Sequence, residues 1–208
     1  MMRLLTSIFS TGALLCGCGH VDYKNAKAGR FSGSLFVMWV GEGDGAGDGK
    51  FVFVPNPRDP LKFRRNSGQV IQPQIMYTDG GSVPRIAQVF NGLGPWGYAP
   101  AYMIHDWIFM ARNCNEDKKS TPEEAEIAGM TFDESGQIIA EAIKTLQLSG
   151  RVKENDIAAQ AISSAVAGPR SKYGVDSSAG ACWESNCEAG DSAIRVVVNG
   201  SPAGSVCG

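Results

Sequence analysis

The chain has 208 residues, 43% of them hydrophobic and 19% charged, enough for one ordinary core and too few to demand two large domains. Its formal net charge is −2 and its pI about 5.7, so no excess of positive charge argues for nucleic acid as a partner. Twenty-six glycines, gathered between the apolar runs, point to a loop-rich fold of modest regular content.

Met1-Met2-Arg3 introduces an apolar run, Leu4 to Leu15, that has the length of a signal-peptide core and is short for a bilayer span. Leu15-Cys16-Gly17-Cys18 follows and resembles the lipobox of bacterial lipoproteins. Gly17 is then the small residue before the cut and Cys18 the lipidated residue; Cys16 fits less well because the bulky Leu15 precedes it. Residues 1–17 are therefore expected to be a lipoprotein signal, and the mature chain to sit in the cell envelope with the membrane as partner. A plain secretory signal and a short buried helix are the competing readings. Cys114, Cys182, Cys187 and Cys207 then stay in the folded chain, and four cysteines allow three pairings in an oxidising compartment. A bridge tying down the C-terminal tail is expected. Zinc is the weaker alternative, because the Cys182–Cys187 spacing is followed by neither a second pair nor a histidine.

Taken in order, residues 18–30 are small and polar and read as a tether. Phe31 to Val40 and Lys50 to Pro55 read as strands rich in Phe, Val and Trp. The acidic, glycine-rich stretch between them starts a calcium-loop pattern at Glu42 and Asp44, but Ala46 and Phe53 stand where ligands are needed, so a hairpin loop is expected. Pro55 to Asn66 is turn-rich and basic and is expected to be a solvated connection. Gly68 to Tyr77 reads as a strand pair broken at Pro73, leading into Asp79. Val83 to Ile86 is expected to make one helical turn. A central helix begins near Pro100, with Ala101, Ile104, Ile108 and Ala111 on one face. Thr121-Pro122-Glu123-Glu124 is a capping box, Thr131 starts a further helix ending at Gly150, and residues 153–167 form a last amphipathic helix. Ala193 to Val198 is strand-like, with Asn199-Gly200 as its turn. The expected class is α+β: a small antiparallel N-terminal sheet packed on a helical half, residues 31–168, and a short disulfide-tied tail, residues 169–208.

Chemistry concentrates in Tyr98 to Arg112, where His105-Asp106 interrupts an apolar helix, and in the preceding Thr78 to Arg85. Neighbours on a helix point about 100° apart, so His105 and Asp106 are poorly placed to chelate one metal together. They suit adjacent tasks, His105 as base on a water and Asp106 as holder of a cation or orienter. Asp79 is the natural third member, since Gly80 and Gly81 permit a close approach. Ser82 is a candidate donor or nucleophile and Arg85 a candidate anion binder. The catalytic candidates are thus His105, Asp106 and Asp79, with Gly80, Ser82 and Arg85 as binding residues and Asp106 with Asp79 as ligands of a divalent cation such as calcium. Equally, the same residues read as a buried polar network that fixes how sheet docks on helix. Trp96, Tyr98 and Trp107 either line a ligand pocket there or fill core.

Thr78-Asp79-Gly80-Gly81-Ser82-Val83-Pro84-Arg85, followed by His105-Asp106-Trp107-Ile108-Phe109, resembles the family called domain of unknown function 1353, whose members are common in phages and bacteria. The likeness covers roughly residues 31–150 and is carried by the two motifs. It implies a phage-related or envelope protein partner and no established activity. Phe109 stands where the family has Tyr, and Ser135-Gly136 where an Ala-Asp pair is usual, so two groups that would support a catalytic site are missing. A looser likeness to small secretory phospholipases, which lack no such Tyr and carry stapling cysteines absent here, suggests a mechanism in which His105 activates water with calcium on Asp106.

Overall fold

Phe31, Phe63 and Ile71 point inward from three short strands, while Arg30, Arg64 and Val70 point out, and this alternation builds the first sheet. The computed structural model describes residues 21–41, 50–78, 95–153, 182, 193–198 and 201–207. Strands β1 (Arg30–Ser32), β2 (Phe36–Gly41), β3 (Lys50–Val54), β4 (Lys62–Arg64), β5 (Val70–Ile71) and β6 (Met76–Thr78) precede helices α1 (Ala99–Glu116), α2 (Pro122–Ile127) and α3 (Phe132–Leu148). A hairpin, β7 (Ala193–Val198) and β8 (Ser201–Cys207), follows. The class is α+β, as expected, but the strands form two antiparallel sheets, ordered β1-β4-β5 and β2-β3-β6, instead of one. Helix α3 packs on β1 and α1 on β6, with α1 also against α2 and α3.

The division between sheets begins at Gly33. The expected single strand from Phe31 to Val40 breaks there, with φ at +90° and the Pro60 carbonyl oxygen 2.0 Å from where a Cβ would sit. Only glycine tolerates both the angle and the approach, so the chain leaves the first sheet and re-enters a second. Residues 55–66 also depart from expectation. They are no mere solvated connection: β4 lies within them, Leu61 is 2% exposed and Phe63 fully buried. The flanking Lys, Arg and Pro masked two core residues whose burial is worth about 2 kcal/mol each.

Residues 21–29 do not behave as a tether either. Val21, Tyr23 and Ala26 join the main core. The Tyr23 hydroxyl donates to Gln147 Oε1, the Gly29 N–H donates to Thr145 Oγ1 at 2.7 Å, and the Lys144 ammonium donates to the Lys24 carbonyl at 2.7 Å. Three apolar residues without periodicity carry no strand or helix signal, so only their burial against α3 reveals them as part of the body.

The helical starts are written locally. Thr121 Oγ1 accepts from the Glu124 N–H, and the Glu124 carboxylate accepts from the Thr121 N–H, closing the capping box. Thr131 caps α3 in the same way through the Glu134 N–H, and Gly150, at φ +70°, follows its end. Thr121→Ala should lower stability by about 1 kcal/mol in urea titration, with Thr121→Ser close to wild type. β7 coincides with the expected strand. Its partner β8 was not expected, because Ser-Pro-Ala-Gly is poor strand sequence. The hairpin loop expected from Glu42 to Gly49, the turn expected from Val83 to Ile86 and all but the first residue of the helix expected over residues 153–167 lie outside the described residues.

β3 is apolar from Phe51 to Val54, and both of its faces are covered at its end. Phe53 and its cross-strand partner Met76 face the main core, whereas Val52 and Val54 join Ile75, Cys114 and Cys182 in a second cluster. Cys114, near the end of α1, is bridged to Cys182 across 68 residues of sequence, with Cα atoms 4.4 Å apart. The Cys182 N–H also donates to Asp117 Oδ2 at 3.1 Å, so the tail is fastened twice at one point. This bridge replaces the zinc alternative for these two cysteines.

Candidate functional site

Helix α1 is preceded by a 3-10 turn, Pro95–Tyr98, and opens with Pro100 in its first turn, where a missing N–H costs nothing. Ala101, Met103, Ile104, Trp107, Ile108 and Ala111 are all buried, so the helix runs through the protein with little solvent-facing surface. Tyr102, His105, Phe109 and Asn113 follow one another at spacings of three or four and share a face, with Asp106 at its edge beside His105.

His105 and Asp106 diverge from that face. Asp106 reaches the second sheet, where Thr78 Oγ1 on β6 donates to its Oδ2 at 2.8 Å. The His105 ring meets Phe109 edge-on at 4.6 Å between centroids, and Phe109 in turn contacts Phe132 at the start of α3, at 6.2 Å. His105 Nδ1 lies 3.9 Å from Asp106 Oδ1, too long for a hydrogen bond, so the two do not form a proton-relay pair. The imidazole is buried, at 6% exposure, and Asp106 is half-buried. An enclosed ring packed on phenylalanine is poorly placed to activate a water for an incoming substrate.

Three buried polar atoms on this face have no hydrogen-bond partner among the described residues: Tyr102 OH, His105 Nε2 and Asn113 Oδ1. Burial pushes the Tyr102 phenol well above its ordinary range, and the negative charge of Asp106 acts in the same direction. A phenol whose folded-state pKa is raised stabilises the fold only while it is neutral in both states. Stability should therefore fall as pH rises through about 10, where the unfolded chain releases the proton and the folded chain keeps it. Tyr102→Phe removes an unpaired buried hydroxyl, so it should be neutral or stabilising by up to about 1 kcal/mol and should flatten that alkaline slope in pH-dependent urea unfolding.

Among the expected site residues, the structure brings His105 and Asp106 onto one helix face and joins Asp106 to Thr78. Asp79, Gly80, Ser82 and Arg85, like Cys18, lie outside the described residues. No group of three or more His, Cys, Asp or Glu side chains able to hold a metal occurs among the described residues. Among the described residues Asp106 alone is too small a donor set for calcium, which takes six to eight oxygens as a rule. Asp133 is exposed and Glu134 is engaged by Arg65, so neither supplies the missing acid of α3. Ser135 Oγ donates to the Phe132 carbonyl at 2.7 Å within its own helix. Tyr98 and Trp107, each 2% exposed, fill core instead of lining a pocket. The Trp96 side chain lies outside the described residues.

Sequence reasoning missed a second polar centre. Arg65, just after β4, donates through Nε and Nη2 to both oxygens of Glu141, at 2.8 and 3.1 Å, and through Nη1 to Glu134 at 2.9 Å. The paired carboxylates hold the Arg65 guanidinium above its ordinary pKa, Glu141 foremost. Glu141, itself 7% exposed, sits in the apolar run Ile138-Ile139-Ala140-Glu141-Ala142-Ile143, and that interruption was the available signal. No family model, curated protein or solved structure matches the chain.

Proposed function

We propose that this chain is an exported, lipid-anchored envelope protein in which His105 and Asp106 fasten α1 to the sheet and to α3, and that it acts through its surface on an envelope or phage-related partner. The observation that carries this reading is the fate of the pair: the imidazole is enclosed against Phe109, and the carboxylate is occupied by the Thr78 hydroxyl. The buried Cys114–Cys182 bridge supports export, since such bonds persist in oxidising compartments. The lipobox-like Leu15 to Cys18 supports the anchor, and the double-motif resemblance supports a phage or bacterial origin.

One observation favours a second reading, a metal-assisted hydrolase: His105 Nε2 is buried without a partner among the described residues, as a base awaiting a water would be. Asp79 would then complete the site. Thermal unfolding of the full chain with and without calcium separates the two. A structural pair predicts the same midpoint in both, and a cost of about 1 kcal/mol for Asp106→Asn, which keeps an acceptor for Thr78. A calcium-dependent rise that Asp106→Asn abolishes would overturn the structural reading. Palmitate incorporation that disappears in Cys18→Ser tests the anchor separately.

A further inference from the structure

The folded body starts much nearer the anchor than a tethered domain would. Val21 is already core, and three residues of extended chain from Cys18 reach at most about 10 Å. A lipid on Cys18 therefore holds the domain at headgroup level with little slack, and the surface around residues 21–30 must meet the bilayer. From this we infer that the basic surface of Lys24, Lys27, Arg30, Arg64 and Arg151 lies against anionic phospholipid headgroups and sets how the domain sits on the membrane. The inference rests on the lipid-anchored reading above.

All five side chains belong to exposed residues, and none has a carboxylate partner within ion-pair distance among the described residues. Asp22, the acid of this stretch, is turned onto Asn25, bonding its backbone N–H at 3.2 Å and its side-chain amide at 2.7 Å. Arg30 and Arg64 are direct cross-strand partners on the outer face of the first sheet. Like charges opposite one another are destabilising alone, and an anionic surface relieves the repulsion. The chain as a whole is acidic, at −2, so this concentration of positive charge is local and not a consequence of composition.

The Lys144 ammonium joins the Lys24 carbonyl to α3, whose last residue, Leu148, is exposed, as is Arg151 just beyond it. Beside Lys27 an open hollow of about 330 Å³ is lined by Asn25, Asn66, Ser67, Gln137 and Glu141. Arg65 neutralises Glu141, which leaves Lys27 with amides and a hydroxyl, donors that suit a phosphoglycerol headgroup. Each Lys or Arg held at an anionic leaflet contributes about a fivefold gain in association, falling off within a Debye length.

The test uses the full lipidated chain reconstituted into vesicles of phosphatidylcholine alone or mixed with phosphatidylglycerol. Lysine acetylation rates are read by mass spectrometry. Lys24 and Lys27 should react about fivefold more slowly on the mixed vesicles. Lys118 and Lys119, just past the end of α1, should react alike on both, and high salt should erase the difference. Arg30→Gln combined with Arg64→Gln should reduce the protection while leaving the thermal midpoint unchanged or higher, which separates lost docking from lost folding. Equal rates on both vesicle types, or equal protection of Lys118 and Lys119, would overturn the inference. The same spectra report whether the Cys18 peptide is acylated. Acylation with unprotected lysines defeats the docking alone, whereas an unacylated Cys18 defeats the anchor and the docking with it.

Discussion

Replacing Cys114 by Ala, or reducing its bridge to Cys182, is expected to lower stability by about 4 kcal/mol, the largest effect of any single change considered for this protein. The bridge closes a loop across 68 residues of sequence. Releasing it restores to the unfolded chain an entropy that the loop-closure relation places near this value for a loop of that length. For a chain of this size the melting midpoint should drop by roughly 8–16 °C. The dependence on urea should steepen, since an uncrosslinked chain exposes more surface when it unfolds. Both sulfurs are buried with Val52, Val54 and Ile75, so the native bridge should resist mild reductant and yield only on unfolding. Comparing urea titrations of the oxidised protein and Cys114→Ala checks all of this. A shift under about 1 kcal/mol would show that the tail contributes little to the folded body.

Arg65→Ala should cost about 3 kcal/mol, because it strands Glu141 without its counter-charge beneath residues 21–29. Removing both partners, as Arg65→Met with Glu141→Leu, should be far less damaging, since no uncompensated charge is left in the interior. The double-mutant cycle in urea measures the difference as a coupling of about 2 kcal/mol. The surface pair Arg112–Glu116, one turn apart on α1, serves as contrast: Arg112→Ala should change stability by less than about 0.5 kcal/mol. Equal effects at Arg65 and Arg112 would show that the guanidinium near α3 is solvated after all.

Much of the helical half is legible from local chemistry. The capping box at Thr121, the cap at Thr131 and the stop at Gly150 each involve contacts within four residues, so the sequence alone reports them. The strands on either side of Pro73 and the strand from Ala193 are legible from their composition, whereas their partners are not: β5 pairs with β4 and β6 with β3, in different sheets. The sheets are less so. Gly33 looks like any loop glycine until the Pro60 carbonyl is seen against it, 27 residues away in sequence. Val21, Tyr23 and Ala26 read as tether until their burial on α3 is known.

The candidate site shows the same boundary. That His105 and Asp106 would stand together on a buried helix followed from the apolar run around them, a short-range pattern. Which way each turns did not follow. Helical geometry separates adjacent side chains, and their partners, Thr78 on β6 and Phe109 with Phe132, depend on how α1 is wedged between a sheet and α3. By itself the sequence determined the class, the helix ends and the identity of the polar residues placed in the core, because propensity, capping and periodicity act over a few residues. Only the tertiary structure decided that the carboxylate is spent on a threonine, that the imidazole is enclosed, that Arg65 meets Glu141, and that the core already includes Val21. Those outcomes are contacts between distant segments, and burial, which no local pattern encodes, sets their energies.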